Sequence, residues 1–247
     1  MTIVVTGGTK GIGLAIARRL ATPDQTLLLA YHSDEQSAAR AKVSLATGGV
    51  RVETFRADIG TIAGAAALMA RVSEIGEPLT CLVHSAAMIY PTTLLDADLE
   101  TFTRAIQTNG LSLLYLVQKA RPVLAVGSSI IFITSAGARQ SMPRYGALGA
   151  GKALAESLIR YLVMELAPLG VRINAVAPGL VRTGSVADMV GGDAAAEKVF
   201  ERAARSNPSG RMSEDADYAE VVAFLAGPGA AFIQGQVIHA NGGAFVG

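Results

Sequence analysis

The chain has no tryptophan, and its one cysteine, Cys81, has no second cysteine to pair with. An intrachain disulfide is therefore excluded, which suits a reducing compartment such as the cytoplasm. Charge is also sparse. Charged residues make up 17% of the chain, and 21 basic against 20 acidic side chains leave a net +1. Such a balance carries no electrostatic footprint for nucleic acid or an anionic membrane. No apolar run approaches the ~20 residues a membrane helix needs. The first residues, Met1-Thr2-Ile3-Val4-Val5-Thr6, read as a strand entering a turn. They show no cationic leader, so no signal peptide is expected. No metal site is expected either.

What is abundant is apolar: hydrophobic residues form 51% of the 247. That excludes disorder. The length supports one large core, and a single domain over 1–247 is expected. The scarcity of charge suggests that some faces are buried against other subunits.

Short β-branched runs alternate with helical patterns. The runs are Ile3–Thr6, Thr26–Ala30, Val50–Arg56, Thr80–His84, Ser129–Thr134, Arg172–Ala177 and Gln236–Ala240. Helical patterns include Ile12–Leu20, Ser33–Ala46, Leu99–Leu124 and Lys152–Ala167. In the last, Leu154, Leu158, Ile159, Leu162, Val163 and Leu166 form one stripe, and Pro168 follows. This alternation predicts an α/β fold: a doubly wound parallel sheet of about seven strands with helices on both faces. The segment Gly184–Met212, richer in Gly, Ala and charge, falls where the sheet's carboxyl edge opens. It reads as a mobile loop or helical lid, with an ordinary surface excursion as the alternative.

The first strand runs into Gly7-Gly8-Thr9-Lys10-Gly11-Ile12-Gly13, where a helix begins. Glycines permit a tight turn and close approach of backbone to a pyrophosphate, and the helix N-terminus supplies free N–H groups. The strand–turn–helix context makes this a Rossmann-type dinucleotide site. An acidic residue usually holds the free ribose hydroxyls at the end of the second strand. Here that end reads Leu29-Ala30-Tyr31-His32-Ser33, and Asp34 comes later. Lys10 and His32 can neutralise a 2′-phosphate and Ser33 can hydrogen-bond it, so NADPH is favoured.

The order Thr6-Gly7-x3-Gly11-Ile12-Gly13, Asp58, Asn109, Ser135, a Tyr/Lys pair and Pro178-Gly179 resembles the short-chain dehydrogenase/reductase family over essentially the whole chain. The resemblance implies that the glycine turn, Thr9, Lys10 and Asp58 hold the dinucleotide, joined by Ile59, Ala86 and Thr183. It implies that Pro178-Gly179 flanks the nicotinamide and that Ser135, Tyr145, Lys152 and Asn109 do the chemistry. It also implies a homotetramer or homodimer, with helices around Leu111–Val126 and Leu154–Leu166 pairing across two-fold axes.

Two departures stand out. Where the family usually has Asn-Asn-Ala-Gly, the fourth strand leads into His84-Ser85-Ala86-Ala87. His84 is read as packing, with a place beside the cofactor as the alternative. The usual Tyr-x3-Lys is also missing. Leu148 occupies the tyrosine slot, and Tyr145 gives Tyr-x6-Lys with Lys152. That spacing resembles the NADPH-using type III enoyl-acyl-carrier-protein reductases. Asn207-Pro208-x-Gly210-Arg211-Met212, and Gly235-Gln236 before Gly242-Gly243, also match these enzymes. They often carry a second aromatic hydroxyl ahead of the catalytic tyrosine, whereas Gln140–Arg144 has none.

Seven residues is near two helical turns, so Tyr145 and Lys152 can share a face, with the hydroxyl displaced ~4.5 Å along the axis. Alternatively, Gly146, Gly149 and Gly151 delay the helix and leave Tyr145 in a loop. In a conjugated enoyl thioester, hydride goes to the β-carbon while charge develops on the distant carbonyl oxygen. A displaced donor suits that geometry. The expected activity is NADPH-dependent reduction of an enoyl thioester on a carrier protein or coenzyme A. Lys152 would bind the nicotinamide ribose, Ser135 would orient substrate or tyrosine, and Asn109 would hold a relay water. The alternatives are a carbonyl reductase of specialised metabolism with another proton donor, and a dinucleotide-sensing regulatory protein.

Overall fold

The computed structural model describes residues 1–46 and 49–246. Seven strands form one parallel sheet: β1 (Thr2–Thr6), β2 (Thr26–Tyr31), β3 (Arg51–Arg56), β4 (Leu79–His84), β5 (Leu124–Ile133), β6 (Arg172–Pro178) and β7 (Val237–Ala240). Their order across the sheet is β3-β2-β1-β4-β5-β6-β7. The chain reverses its direction of winding between β1 and β4, and ligands bind outside the carboxyl ends of strands at such a switch point.

Alternate residues of each strand face opposite ways, which gives the sheet two apolar faces. Val4, Leu28, Leu82, Ile130 and Ile173 point to one side, against α3 (Ile62–Ile75), α5 (Ser112–Ala120) and α6 (Gly146–Leu166). Val5, Leu27, Leu29, Val83, Ile131 and Val176 point to the other, against α1 (Gly11–Leu20), α2 (Glu35–Leu45) and α9 (Asp215–Ala226).

The expected helix Leu99–Leu124 is instead two helices. Helix α4 (Leu99–Ile106) and α5 are joined by a π turn at Gln107–Leu111, and Leu124 already belongs to β5. Such wide turns insert a residue into a helix without ending its apolar stripe. Helix α6 starts at Gly146, six residues ahead of the expected Lys152, so its glycines do not delay it. They permit contact instead. A Cβ on Gly149 would stand 2.5 Å from the Gly137 carbonyl oxygen, and one on Gly151 would stand 2.6 Å from Asn109 Cβ. The segment after β6 is helical: α7 (Gly184–Val190) and α8 (Asp193–Ser206), hinged at Gly191 and Gly192, whose φ values are +92° and +129°.

Candidate active site

The turn after β1 is shaped for close backbone approach. Gly7 has φ +64°, and a side chain there would meet Ala86 Cα at 2.8 Å. Gly11 has φ +52° and faces Thr183. Lys10, the N-cap of α1, makes no side-chain cap, so the first amides of Ile12 and Gly13 are left to an external acceptor. Glycine cradle and uncapped helix together fit a pyrophosphate. Thr9 is buried beneath the turn, and Ile59 is buried next to Asp58.

Lys10, His32 and Ser33 all lie exposed around the end of β2. Lys10 Nζ reaches Asp34 at 3.3 Å, and His32 Nε2 stands 3.9 Å from Asp58. The second oxygen of Asp58 accepts the Gly60 amide at 3.0 Å. The two side chains thus rest on weak, solvent-exposed contacts from which an entering phosphate can recruit them. At the far side, Pro178 closes β6, and the Gly179 amide donates to the Ala240 carbonyl at 2.9 Å.

Strand β5 delivers Ser135 just past its carboxyl end. Tyr145 is the N-cap of α6, with φ −98° and ψ 0°, so it sits at the mouth of the helix rather than on its face. Arg144 before it holds a left-handed φ of +58° and is fastened by a guanidinium bond to the Pro91 carbonyl at 3.0 Å. The Tyr145 hydroxyl donates to Ser135 Oγ at 3.0 Å. Burial raises the phenol pKa and the Ser135 bond partly opposes it, so the proton stays on the oxygen at neutral pH.

Lys152 is buried about two turns deeper into α6. Its Nζ donates to the Ile133 carbonyl at 2.8 Å and lies 4.4 Å from the Phe132 ring centroid. Loss of hydration pushes its pKa down to about 7. Asn109 sits in the π turn with both polar atoms engaged. Oδ1 accepts the Met88 amide at 2.8 Å, and Nδ2 donates to the Met88 carbonyl at 2.9 Å. It therefore pins the chain after β4, with one N–H and one lone pair to spare.

His84 is packed in the core, as the sequence suggests, with its ring edge-on to Phe132 at a centroid distance of 5.2 Å. It is wholly buried and bonded at both ring nitrogens, Nδ1 to Thr6 Oγ1 at 2.9 Å and Nε2 to Ser112 Oγ at 2.6 Å. Ser112 Oγ donates to the Thr108 carbonyl at 2.6 Å, so it accepts from Nε2–H. The Thr6 hydroxyl then donates to Nδ1 and accepts the Ala86 amide at 3.3 Å. Burial, assisted by nearby Lys152, lowers the imidazole pKa to about 3.

Two residues escaped the sequence reading. Gly137 packs under the Tyr145 ring, where a Cβ would lie 2.6 Å from Cδ1. Glu156, nearly fully buried, accepts from Thr134 Oγ1 at 2.7 Å and Arg139 Nε at 2.9 Å, which anchors both ends of the loop carrying Ser135. A signal for Glu156 existed: a carboxylate four residues after Lys152 shares its helical face. Gly137 offered none.

Residues 7–244 match the family model described as "Enoyl-(Acyl carrier protein) reductase". The chain belongs to the short-chain dehydrogenase/reductase family. It is 32% identical to "NADPH-dependent aldehyde reductase-like protein, chloroplastic" of Arabidopsis thaliana, over 97% of this chain and 92% of that one. It is 30% identical to "1-cyclohexenylcarbonyl-CoA reductase" of Streptomyces collinus, over 97% of this chain and 85% of that one. A solved dehydrogenase/reductase from Sinorhizobium meliloti 1021 superposes with a TM-score of 0.87 at 31% identity, covering 99% of this chain and 95% of its own. The protein is thus an NAD(P)H-dependent short-chain oxidoreductase. Among the described residues, no helix is long and apolar enough to cross a membrane, and no cluster of potential metal ligands occurs.

Proposed function

We propose that this short-chain oxidoreductase reduces the conjugated double bond of an enoyl thioester with NADPH. The observation that carries the reading is the Tyr145–Ser135 hydroxyl pair at the mouth of α6. The position four residues before Lys152 meanwhile holds buried, proton-less Leu148. The acyl carrier protein in the matched family's description and the coenzyme A thioester in the Streptomyces relative's name support that substrate class.

When bound, NADPH supplies the hydride. The chain's own groups do the rest. Tyr145, held protonated, donates to the enolate oxygen as charge develops there. Ser135 fixes the phenol's direction. Lys152, poised near neutrality, holds the nicotinamide-ribose hydroxyls and as a cation favours the tyrosinate after transfer. Asn109 clamps Met88 and keeps one donor and one acceptor for a relay water. Lys10, His32 and Ser33 take the 2′-phosphate. Asp58, Ile59, Ala86, Thr183 and Pro178-Gly179 line the dinucleotide. Helices α7 and α8 form a lid over the substrate, within one domain spanning the chain.

A second reading, carbonyl reduction, is favoured by the Arabidopsis relative's name and uses the same hydroxyl pair. NADPH oxidation with crotonyl- against acetoacetyl-thioesters separates the two; a preference for the ketone would overturn the enoyl reading. In single turnover with crotonyl-thioester, Tyr145→Phe should lose about 10²- to 10⁴-fold in hydride transfer while keeping NADPH affinity. A rate within about twofold of wild type would remove Tyr145 from the mechanism, because general acids contribute far more.

A further inference from the structure

The two neighbours of the Tyr145 side chain, Ser135 at its hydroxyl and Gly137 beneath its ring, lie in one short loop. The loop leaves β5 after Ile133 and makes one 3₁₀ turn, Ala136–Ala138, before Arg139. Ser135 Oγ accepts the Gly137 amide at 3.1 Å, so the hydroxyl and the glycine are tied together. A turn this short does not hold its own place against a helix.

Glu156 grips the loop from α6, the helix that Tyr145 caps and that carries Lys152. It is only 4% exposed. Oε1 accepts from Thr134 Oγ1, directly ahead of Ser135, and Oε2 accepts from Arg139 Nε, directly after the turn. Each oxygen is thus committed to one end of the same loop. His239 is the other titratable group near the pair, and it hydrogen-bonds to neither member. A buried charge is costly unless it is paired and hydrogen-bonded, and apolar packing often stabilises a fold as well as a buried ion pair does. What a carboxylate adds is geometry. It accepts on both oxygens, whereas an amide of the same shape accepts on one. Glu156 stands eleven residues after Tyr145, about three turns along the helix, so it reaches no reacting atom.

We infer that Glu156 is a positioning residue for the reduction. By holding Thr134 and Arg139 it sets where Ser135 and Gly137 stand, and through them where the Tyr145 phenol points. Its effect on rate rests on the reading of Tyr145 as proton donor; its effect on the phenol does not.

Nuclear magnetic resonance of the intact protein, with tyrosine labelled by carbon-13 at Cζ, reads the phenol directly. The Tyr145 signal, identified by its loss in Tyr145→Phe, should shift or split in Glu156→Gln, while the rest of the six tyrosines keep theirs. With crotonyl-thioester, kcat should fall by up to about 10²-fold, the cost of a misplacement near 1 Å, with KM and NADPH affinity unchanged. Thr134→Val, isosteric but without the hydroxyl, cuts one tie and should give a smaller change of the same kind. It decides the matter should Glu156→Gln fail to fold. In a Tyr145→Phe background, the second substitution should cost no more than about twofold further, because residues acting through one group are not additive. A general loss of structure would cost the same in either background. Any of three results overturns the inference: a Tyr145 signal unmoved in both variants, an unchanged kcat with or without a raised KM, or the full cost persisting in the Tyr145→Phe background. If Tyr145→Phe itself keeps the wild-type rate, the donor assignment falls, and the labelled signal alone decides whether Glu156 aims the phenol.

Discussion

Tyr145 is directed by two neighbours rather than by its own backbone. Ser135 holds the hydroxyl, and Gly137 leaves room for the ring. Gly137→Ala places a methyl group inside the ring's contact distance and must rotate the phenol off Ser135. A misplacement of about 1 Å at a reacting group costs about 10²-fold. The expected result is a kcat lowered by about that factor, with NADPH affinity unchanged because no cofactor-binding residue moves. Steady-state kinetics beside a fluorescence titration checks it, and an unaltered kcat would show that the ring has freedom this packing denies. The cofactor preference proposed above would rest on equally local charge. Lys10 and His32 are held only by exposed pairs with Asp34 and Asp58. Lys10→Ala should therefore narrow the preference for NADPH over NADH, and equal affinities in the wild type would count against the assignment. These sites differ in how far the sequence reveals them. The glycine turn is legible because backbone chemistry writes it in consecutive residues. Gly137 is not, because its meaning lies in a ring eight residues away that only the fold brings over it.

Helix by helix, the same limit applies. All seven strands are legible as short apolar runs, although only inner ones, β1, β2, β4 and β6, are buried nearly throughout, and the edge strands β3 and β7 are partly exposed. The break between α4 and α5 is not, because the apolar stripe continues through the Gln107–Leu111 π turn. That turn is what swings Asn109 toward Met88 and lets Gly110 meet Gly151. The 184–212 region is legible only as something unlike the core. The structure resolves it into α7 and α8, with α8 docked through Ala196 and Phe200. The Arg182 guanidinium stands 4.6 Å over the Phe200 ring centroid. If this pair of helices is a lid, Phe200 is its latch. Phe200→Ala should raise KM for the thioester and speed limited proteolysis within 184–212. The thermal midpoint of the whole protein should move little, because opening is local. A large drop in that midpoint with unchanged KM would make α8 part of the scaffold instead.

Across the whole molecule, two properties follow from what is buried and what is not. Acid stability is the first. His84 is neutral in the fold, with its pKa near 3, and takes a proton in the unfolded chain below about 6.5. The unfolded state then binds more protons, so stability falls as pH drops from about 6.5 toward 3, by about 1.4 kcal/mol per unit at most. His239, also lowered by burial, acts in the same direction. Urea unfolding at pH 7, 6 and 5 should show this slope, and His84→Gln should remove the larger part of it. An identical slope in the variant would rule His84 out as its source. Assembly is the second. The outward face of α6 carries Tyr161 and Met164, 72% and 76% exposed, and Leu99 at the start of α4 is 73% exposed. Large side chains of this kind, close together along helices, mark a protein–protein surface rather than a solvated one. A surface pairing with its own copy closes around a two-fold axis. The sequence hint of sparse charge points the same way, although the Leu111–Val126 stretch is not one helix, and exposed apolar residues lie on α6 rather than α5. A homodimer or homotetramer is expected at micromolar concentration. The double substitution Tyr161→Glu with Met164→Glu would set four like charges against one another across a self-paired helix. It should therefore lower the oligomeric state in light scattering and leave the sheet's circular-dichroism signal intact. A wild-type monomer, or a double variant with unchanged mass, would assign these side chains to some other contact.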